Sequence, residues 1–311
     1  MKIKNVATLA AAISAIWFSP AYAETGKLLL TGGVSSIEGA AGGGITPWAV
    51  IGSNATDGQL GASAYVSRAV VDDYALSGFG AAVGIQDRFE VSLARQDFDA
   101  GAGLALNGIA PFGIKPGQHI KMDVLGLKAR VAGDAVLDSD TLMPQIAVGL
   151  QHKSVKPGSL GPVLDFLGTQ KSGTDFYVSA TKLLLAQGLL LNGTLRATKA
   201  NQNGLLGFGS GAPGKNSYSL QPEFSAAVLI SRNIAIGAEY RFKPNNLEAL
   251  GRAAGLGDAL REDDWKDIFI AWAPSKNLSF TLAYVDLGRI VPGITGHRKQ
   301  TGVYLSTQIA F

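Results

Sequence analysis

Apolar side chains recur at every second position along most of this 311-residue chain. That period of two is what a β-strand shows when its two faces meet different surroundings. Two adjoining stretches show it most clearly. Tyr218, Leu220, Phe224, Ala226, Val228 and Ile230 oppose Ser219, Gln221, Glu223, Ser225 and Ala227; past Arg232 and Asn233, Ile234, Ile236, Ala238, Tyr240 and Phe242 oppose Ala235, Gly237, Glu239, Arg241 and Lys243. The same rhythm starts at Leu60, Phe79, Phe89, Leu125, Ile146, Phe176, Leu189, Ile268, Leu278 and Val303. This predicts about twelve strands, each near the roughly 9 to 11 residues that a tilted strand needs to cross a bilayer. Ile120 and Met122 fall out of phase with Leu125 and Leu127, which predicts a bulge there or emergence from the membrane.

The N-terminus predicts export. Met1 to Asn5 carries Lys2 and Lys4 and no acid, Val6 to Phe18 is apolar, Ser19-Pro20 breaks the run, and Ala21-Tyr22-Ala23 places small residues where a signal peptidase inspects them. These features predict a secretory signal peptide over residues 1–23, cleaved after Ala23. The apolar run is shorter than the roughly 20 residues of a membrane-spanning helix. The chain holds 27 Lys and Arg against 24 Asp and Glu. Two of the lysines leave with the leader, so the exported part is nearly neutral and nothing points to nucleic acid. With no cysteine, disulfides and thiolate metal sites are excluded. No other apolar run is long enough for a spanning helix. An exported chain of this composition enters a membrane only as a closed barrel, in which every backbone N–H and C=O finds a partner.

The last ten residues, Gly302 to Phe311, alternate in the same way, with Val303, Leu305, Thr307, Ile309 and Phe311 on one face. This stretch resembles the C-terminal signal strand of Gram-negative outer-membrane β-barrels, which implies recognition by the barrel-assembly machinery. Loop lengths agree with a barrel. Long connections (Asp99 to Gly117, Ser154 to Gly173, Ala200 to Lys215, Pro244 to Asp263, Arg289 to Thr301) alternate with short ones near Asp134, Gln187, Arg232 and Ser275, as longer outer loops alternate with short periplasmic turns. Tyr218, Tyr240, Phe242, Trp272, Tyr284 and Phe311 fall near strand ends, where aromatic girdles sit.

Two segments do not read as plain strands. Residues 24–57 are Gly-rich, and Gly26 to Asn54 is either one more hairpin, making fourteen strands, or a segment tucked into the lumen. In Pro244 to Asp263, Asn246 is placed to cap a short external helix through Leu247, Leu250 and Ala254, ended by Gly255 and Gly257. Residues 58–311 form the barrel proper.

Lys153 to Pro157, Gly204-Leu-Leu-Gly-Phe-Gly209, Glu262-Asp-Asp-Trp-Lys-Asp267 and Tyr284-Val-Asp-Leu-Gly-Arg289, with the Gly-rich opening, resemble an uncharacterised proteobacterial family, domain of unknown function 3034. The resemblance implies an envelope location and brings no catalytic residues.

Enzyme chemistry finds little support. Gly209 to Asn216 is one residue short of a phosphate-binding loop, because Asn216 stands where Ser or Thr would hold magnesium, and a strand follows instead of a helix. It reads as an outer loop. His119, His152 and His297 fall at the expected outer rim without the close spacing of a metal site. The Gly-His-Ser-Asn-Gly stretch of an outer-membrane phospholipase is absent, and no hydroxyl stands out as paired with a base. No metal or cofactor is expected.

The lumen is more informative. The alternation turns Glu90, Lys128, Arg130, Arg196, Glu223, Glu239, Arg241 and Lys243 inward, where they either line a water-filled pore or close into a salt-bridge network. Lys153, Lys156, Arg298 and Lys299 are expected at the rim, facing lipopolysaccharide phosphates. The reading is an all-β, antiparallel, up-and-down transmembrane barrel of about twelve strands in the outer membrane of a Gram-negative bacterium. Its expected role is a porin-like passive conduit for small solutes; the alternatives are a structural or surface-interaction barrel and, with less support, a hydrolase.

Overall fold

The structure, a computed structural model, describes residue 27 and residues 29–100, 117–136 and 142–311. The expected leader and its cleavage position lie outside the described residues. Two short strands, β1 (Val34–Ser35) and β2 (Ala41–Gly42), pair only with each other. Twelve more form one closed antiparallel barrel. In chain order these are β3 (Leu60–Val71), β4 (Ala75–Ile85), β5 (Phe89–Asp99), β6 (His119–Ala132), β7 (Gln145–Lys156) and β8 (Ser172–Leu184). They continue with β9 (Leu189–Thr198), β10 (Ser219–Ser231), β11 (Ile234–Arg241), β12 (Trp265–Ser275), β13 (Leu278–Asp286) and β14 (Thr301–Ala310). Each strand pairs with its sequence neighbours, and β14 closes the ring on β3 with Thr307 opposite Val66.

The turns explain the register. Gln86 and Asp87 between β4 and β5 have φ of 54° and 49°, as a two-residue hairpin turn matched to strand twist requires. The tight connections at β4–β5, β8–β9, β10–β11 and β12–β13 lie at one end with Leu60 and Phe311. The β6–β7 connection, residues 133–144, lies at that same end and is longer than the short turn expected near Asp134; the other end carries the remaining long loops, together with the brief Asp72-Asp73-Tyr74 link between β3 and β4. Among the described residues the loops hold three short α-helices, α1 (Gly161–Phe166), α2 (Glu248–Ala253) and α3 (Pro292–Thr295).

The wall inverts the pattern of a soluble sheet. Leu60, Phe79, Leu93, Leu127, Ile268, Leu282 and Leu305 are exposed on the outside, while Glu90, Lys128, Gln151, Asp175, Arg196, Glu223 and Glu239 are buried inside. An outward apolar band around a polar interior is what a lipid-embedded barrel requires. Tyr218, Phe242, Trp272, Tyr284 and Phe311 are exposed near strand ends. Tyr240 is half-buried and packs its ring 4.7 Å from that of Phe242. No helix among the described residues is long and apolar enough to cross a membrane.

Three local expectations are corrected. First, there is no bulge at Met122. Strand β6 runs unbroken from His119, and its register shift lies between Arg130 and Ala132. Ile120, Met122 and Val124 share the inward parity of Lys128 and are apolar because they pack against Leu160, Leu164, Leu205 and Phe208 of the loop layer. Second, the wall does not have fourteen strands. The Gly-rich segment supplies only the β1–β2 hairpin, and its residues are buried inside the barrel. Third, Asn246 does not cap α2. Leu247 holds that position without a side-chain cap bond, and the Asn246 amide instead donates to Lys199 O and Asn201 Oδ1, both at 3.0 Å. Helix α2 does end in Gly255 and Gly257, with φ of 74° and 57°.

Candidate functional site

Burying a segment with almost no secondary structure leaves its backbone groups in need of partners. The wall supplies them. Glu239 accepts from Ile45 N at 2.9 Å and from Thr46 Oγ1 at 2.5 Å. Glu90 accepts from Ala41 N at 3.1 Å and Gly52 N at 2.7 Å. Lys128 Nζ donates to Ala41 O and Val50 O, both at 2.9 Å, while pairing with Glu90 at 3.2 Å. Thr181 Oγ1 accepts from Ala49 N at 2.8 Å, and Gln145 Nε2 returns a bond to Ala49 O at 2.8 Å. Trp48 Nε1 donates to Ser225 Oγ at 3.0 Å. The inward polar residues therefore do not line open water; they hold an insert.

Small residues make this close approach possible. A Cβ on Gly43 would run into the Glu239 carboxylate, and one on Gly84 of the wall would run into Gly52 O. At Gly84 the obstacle is backbone, so only glycine fits; at Gly43 a side chain would have to displace the buried carboxylate.

Toward the long-loop end lies a closed ionic cluster. Glu38, carried by the insert, meets Lys153 on β7, Arg196 on β9 (3.3 Å) and Arg241 on β11 (2.9 Å). Asp175 on β8 meets Lys153 at 2.7 Å and Arg196 at 3.5 Å. Glu223 on β10 accepts from Arg196 Nε at 2.6 Å and Arg241 Nε at 3.3 Å. Three cations face three carboxylates, and all six side chains are almost fully buried. Gln151 Oε1 takes a further Arg196 N–H at 2.7 Å, and Tyr177 lies under the guanidinium at 5.5 Å. Charges removed from water are tolerable only when mutually compensated in this way.

The eight inward candidates thus divide by position. Arg196, Glu223 and Arg241 belong to the ionic cluster, while Glu90, Lys128 and Glu239 hold the insert. Arg130 sits near the short-turn end, paired with Asp87 at 2.8 Å and Asp134 at 3.2 Å. Lys243 lies beyond β11, paired with Glu262 at 3.2 Å and 4.0 Å above the Trp265 ring. The rim assignment of Lys153 is corrected. Strand β7 continues to Lys156, so Lys153 shares the inward parity of Gln151 and is fully buried. Lys156, Arg298 and Lys299 are exposed at the long-loop end; Lys156 pairs with Asp123 at 2.7 Å and Arg298 with Asp73. The outward face of β14 carries Val303, Leu305, Thr307 and Ile309, and Phe311 follows it, its N–H donating to Ala62 O at 2.8 Å.

Glu38, Asp175 and Gln151 were not singled out from the sequence. Glu38 had a signal, being the sole charged residue between Lys27 and Asp57. The histidines stay apart, His119 on Asp97 at 2.6 Å, His152 on Thr174 at 2.9 Å and His297 near Asp258 at 3.6 Å. Among the described residues no group of three or more His, Cys, Asp or Glu is placed to hold a metal.

The loop layer above the cluster is clamped by Arg289, whose Nε and Nη2 reach Asp263 Oδ2 and Oδ1 at 2.8 and 2.9 Å. Hydrogen bonds from Arg289 hold the Asp263 carboxyl below its usual range, against the opposing effect of partial burial.

Residues 31–308 match the family model described as a protein of unknown function, DUF3034. The chain belongs to that family. No curated protein matches DUF3034's present member in sequence. Among solved structures, this DUF3034 chain is similar to the KdgM porin at 9% identity and TM-score 0.49, over 80% of this chain and 99% of that one. It is similar to the NanC porin at 7% identity and TM-score 0.47, over 80% and 98%. It is also similar to the COG4313 outer membrane channel of Pseudomonas putida F1 at 9% identity and TM-score 0.46, over 83% and 97%.

Proposed function

We propose that this barrel is an outer-membrane conduit for small solutes, held closed by its own N-terminal insert. The observation that carries the reading is that a separate segment, and not the wall's side chains alone, fills the lumen. Inward wall positions such as Ser63, Gly84, Ser92, Ser179, Thr194 and Ser225 are small and polar. A barrel of about eight strands is narrow enough for its own side chains to fill, and twelve strands enclose more room. This one reserves a polar space and fills it with residues that are covalently continuous with β3 alone among the wall strands. With the insert withdrawn, the space becomes a hydrated passage lined by both signs of charge.

The leader expected over residues 1–23, the resemblance of Gly302 to Phe311 to an outer-membrane signal strand and the apolar outer band together support a place in the outer membrane of a Gram-negative bacterium. There the assembly machinery would engage Val303, Leu305, Thr307, Ile309 and Phe311, and Lys156, Arg298 and Lys299 would meet lipopolysaccharide phosphates.

Planar-bilayer recording tests the proposal. The intact protein should show rare, small openings, and a variant lacking residues 31–54 should show sustained conductance. A deletion variant that folds and inserts but passes no ions would overturn the conduit and leave a structural barrel.

A further inference from the structure

We propose that the long-loop end holds a binding site for an uncharged, predominantly apolar small molecule. A cavity of about 400 Å³ opens above the ionic cluster, walled by Ile120, Leu164, Leu205, Leu250, Trp265 and Ile290. These residues come from β6, α1, the loop after β9, α2, β12 and the loop after β13. The folding of several loops against one another thus leaves an apolar chamber where close packing would have been expected. Its size falls within the roughly 300–1,000 Å³ usual for small-molecule sites. At ordinary packing density it accommodates about 15 to 20 non-hydrogen atoms.

The lining decides the chemistry of the ligand. The polar side chains that reach the cavity are already engaged with one another. Asn201 Nδ2 donates to Gly209 O at 2.7 Å, Asn246 Nδ2 to Asn201 Oδ1 at 3.0 Å, and Lys243 Nζ to Gln202 Oε1 at 2.8 Å. Glu262 takes Lys243 at 3.2 Å and Gln202 N at 2.8 Å. Among the described residues an ionised ligand would find no unpaired counter-charge in this lining, and desolvating it would oppose binding. The Trp265 ring adds an aromatic wall to the chamber. Phe166 and Leu256 also lie at the cavity, 66% and 53% exposed. They sit on loops outside the lipid-facing wall and form an apolar entrance. The site stands on its own geometry and does not require the barrel to conduct.

Photolabelling tests it. The full-length protein in lipid nanodiscs would be irradiated with a diazirine-bearing medium-chain alkyl ketone and the labelled peptides mapped. Saturable labelling is expected in residues 160–167 and 247–260, competed by undecan-2-one and about tenfold less effectively by decanoate, whose charge must be desolvated. In Leu250→Glu, which sits on a loop helix outside the wall, labelling should fall about tenfold for the same reason, with unboiled gel mobility unchanged. If that variant does not fold, Leu250→Trp, which fills the chamber, should give the same loss. Labelling that does not saturate, or that is confined to lipid-facing strand residues, would overturn the site. Equal competition by decanoate would overturn the uncharged class.

Discussion

Arg241 on β11 donates from Nη1 to Glu38 Oε2 at 2.9 Å, tying the wall to the insert across 203 residues of chain. Glu38 is the only insert residue in the ionic cluster, so Glu38→Gln leaves three cations facing two carboxylates in a space closed to water. Breaking a buried pair in this way costs about 3–5 kcal/mol. The loss should fall on the seating of the insert, because the strand ladders are untouched. Limited proteolysis should cut within residues 31–54 in Glu38→Gln and not in the parent, with channel openings more frequent. Equal protection in both would contradict the assignment of Glu38 as the anchor.

A steric route should give the same result without altering charge. In Gly43→Val the new side chain occupies the space of the Glu239 carboxylate, and overpacking of this kind costs about 1–3 kcal/mol or more. The barrel should still run as a heat-modifiable species on gels, while the conductance of Gly43→Val should resemble that of the insert deletion. Silence in this variant alongside an active deletion would show that the insert can shift and still seal.

The outer band gives a prediction about the membrane. Leu282 is exposed between Ile270 and Leu305 on the neighbouring strands. Arginine there should destabilise the barrel by about 2–4 kcal/mol if the site lies at bilayer mid-depth. Urea titration of refolded protein in lipid vesicles measures it. A shift below about 1 kcal/mol would be the value for an interfacial position and would displace the membrane plane.

The Arg289–Asp263 clamp predicts a response to acid. Asp263 has its folded-state pKa lowered below 3.8. Its contribution is therefore complete above the unfolded value and is lost as pH falls through the folded one. Loop residues 258–264 and 287–300 should keep their hydrogen-exchange protection down to about pH 4, then lose it on further acidification. Arg289→Gln should lack that protection already near neutral pH and show no acid step.

The wall was legible in the sequence because lipid and lumen impose opposite chemistries on alternate residues. Each pair such as Phe224 and Ser225, or Ile236 and Gly237, states its own orientation. The errors arose where that contrast fades. Ile120 and Met122 are apolar yet inward, because their interior neighbours are the apolar loop residues Leu160, Leu164, Leu205 and Phe208. Lys153 was placed at the rim because its strand was ended too early; extending the parity of Gln151 by two residues turns it inward. The insert was hardest to read. Its path is set by contacts with side chains far along the chain, such as Glu239, Arg241 and Gln308, and a run of glycine and alanine carries no period of its own. The apolar chamber was likewise invisible, since it is assembled from separated pieces of chain between Tyr74 and Ile294.

Closure of the ring between β14 and β3 also involves the insert. The segment leads directly into β3, one lip of that seam, and its Ser35 N–H donates to Gln308 on β14, the other lip, at 2.5 Å. The plug is thereby moored to both edges of the join, so the piece that occupies the lumen also bridges the first and last staves of the cask.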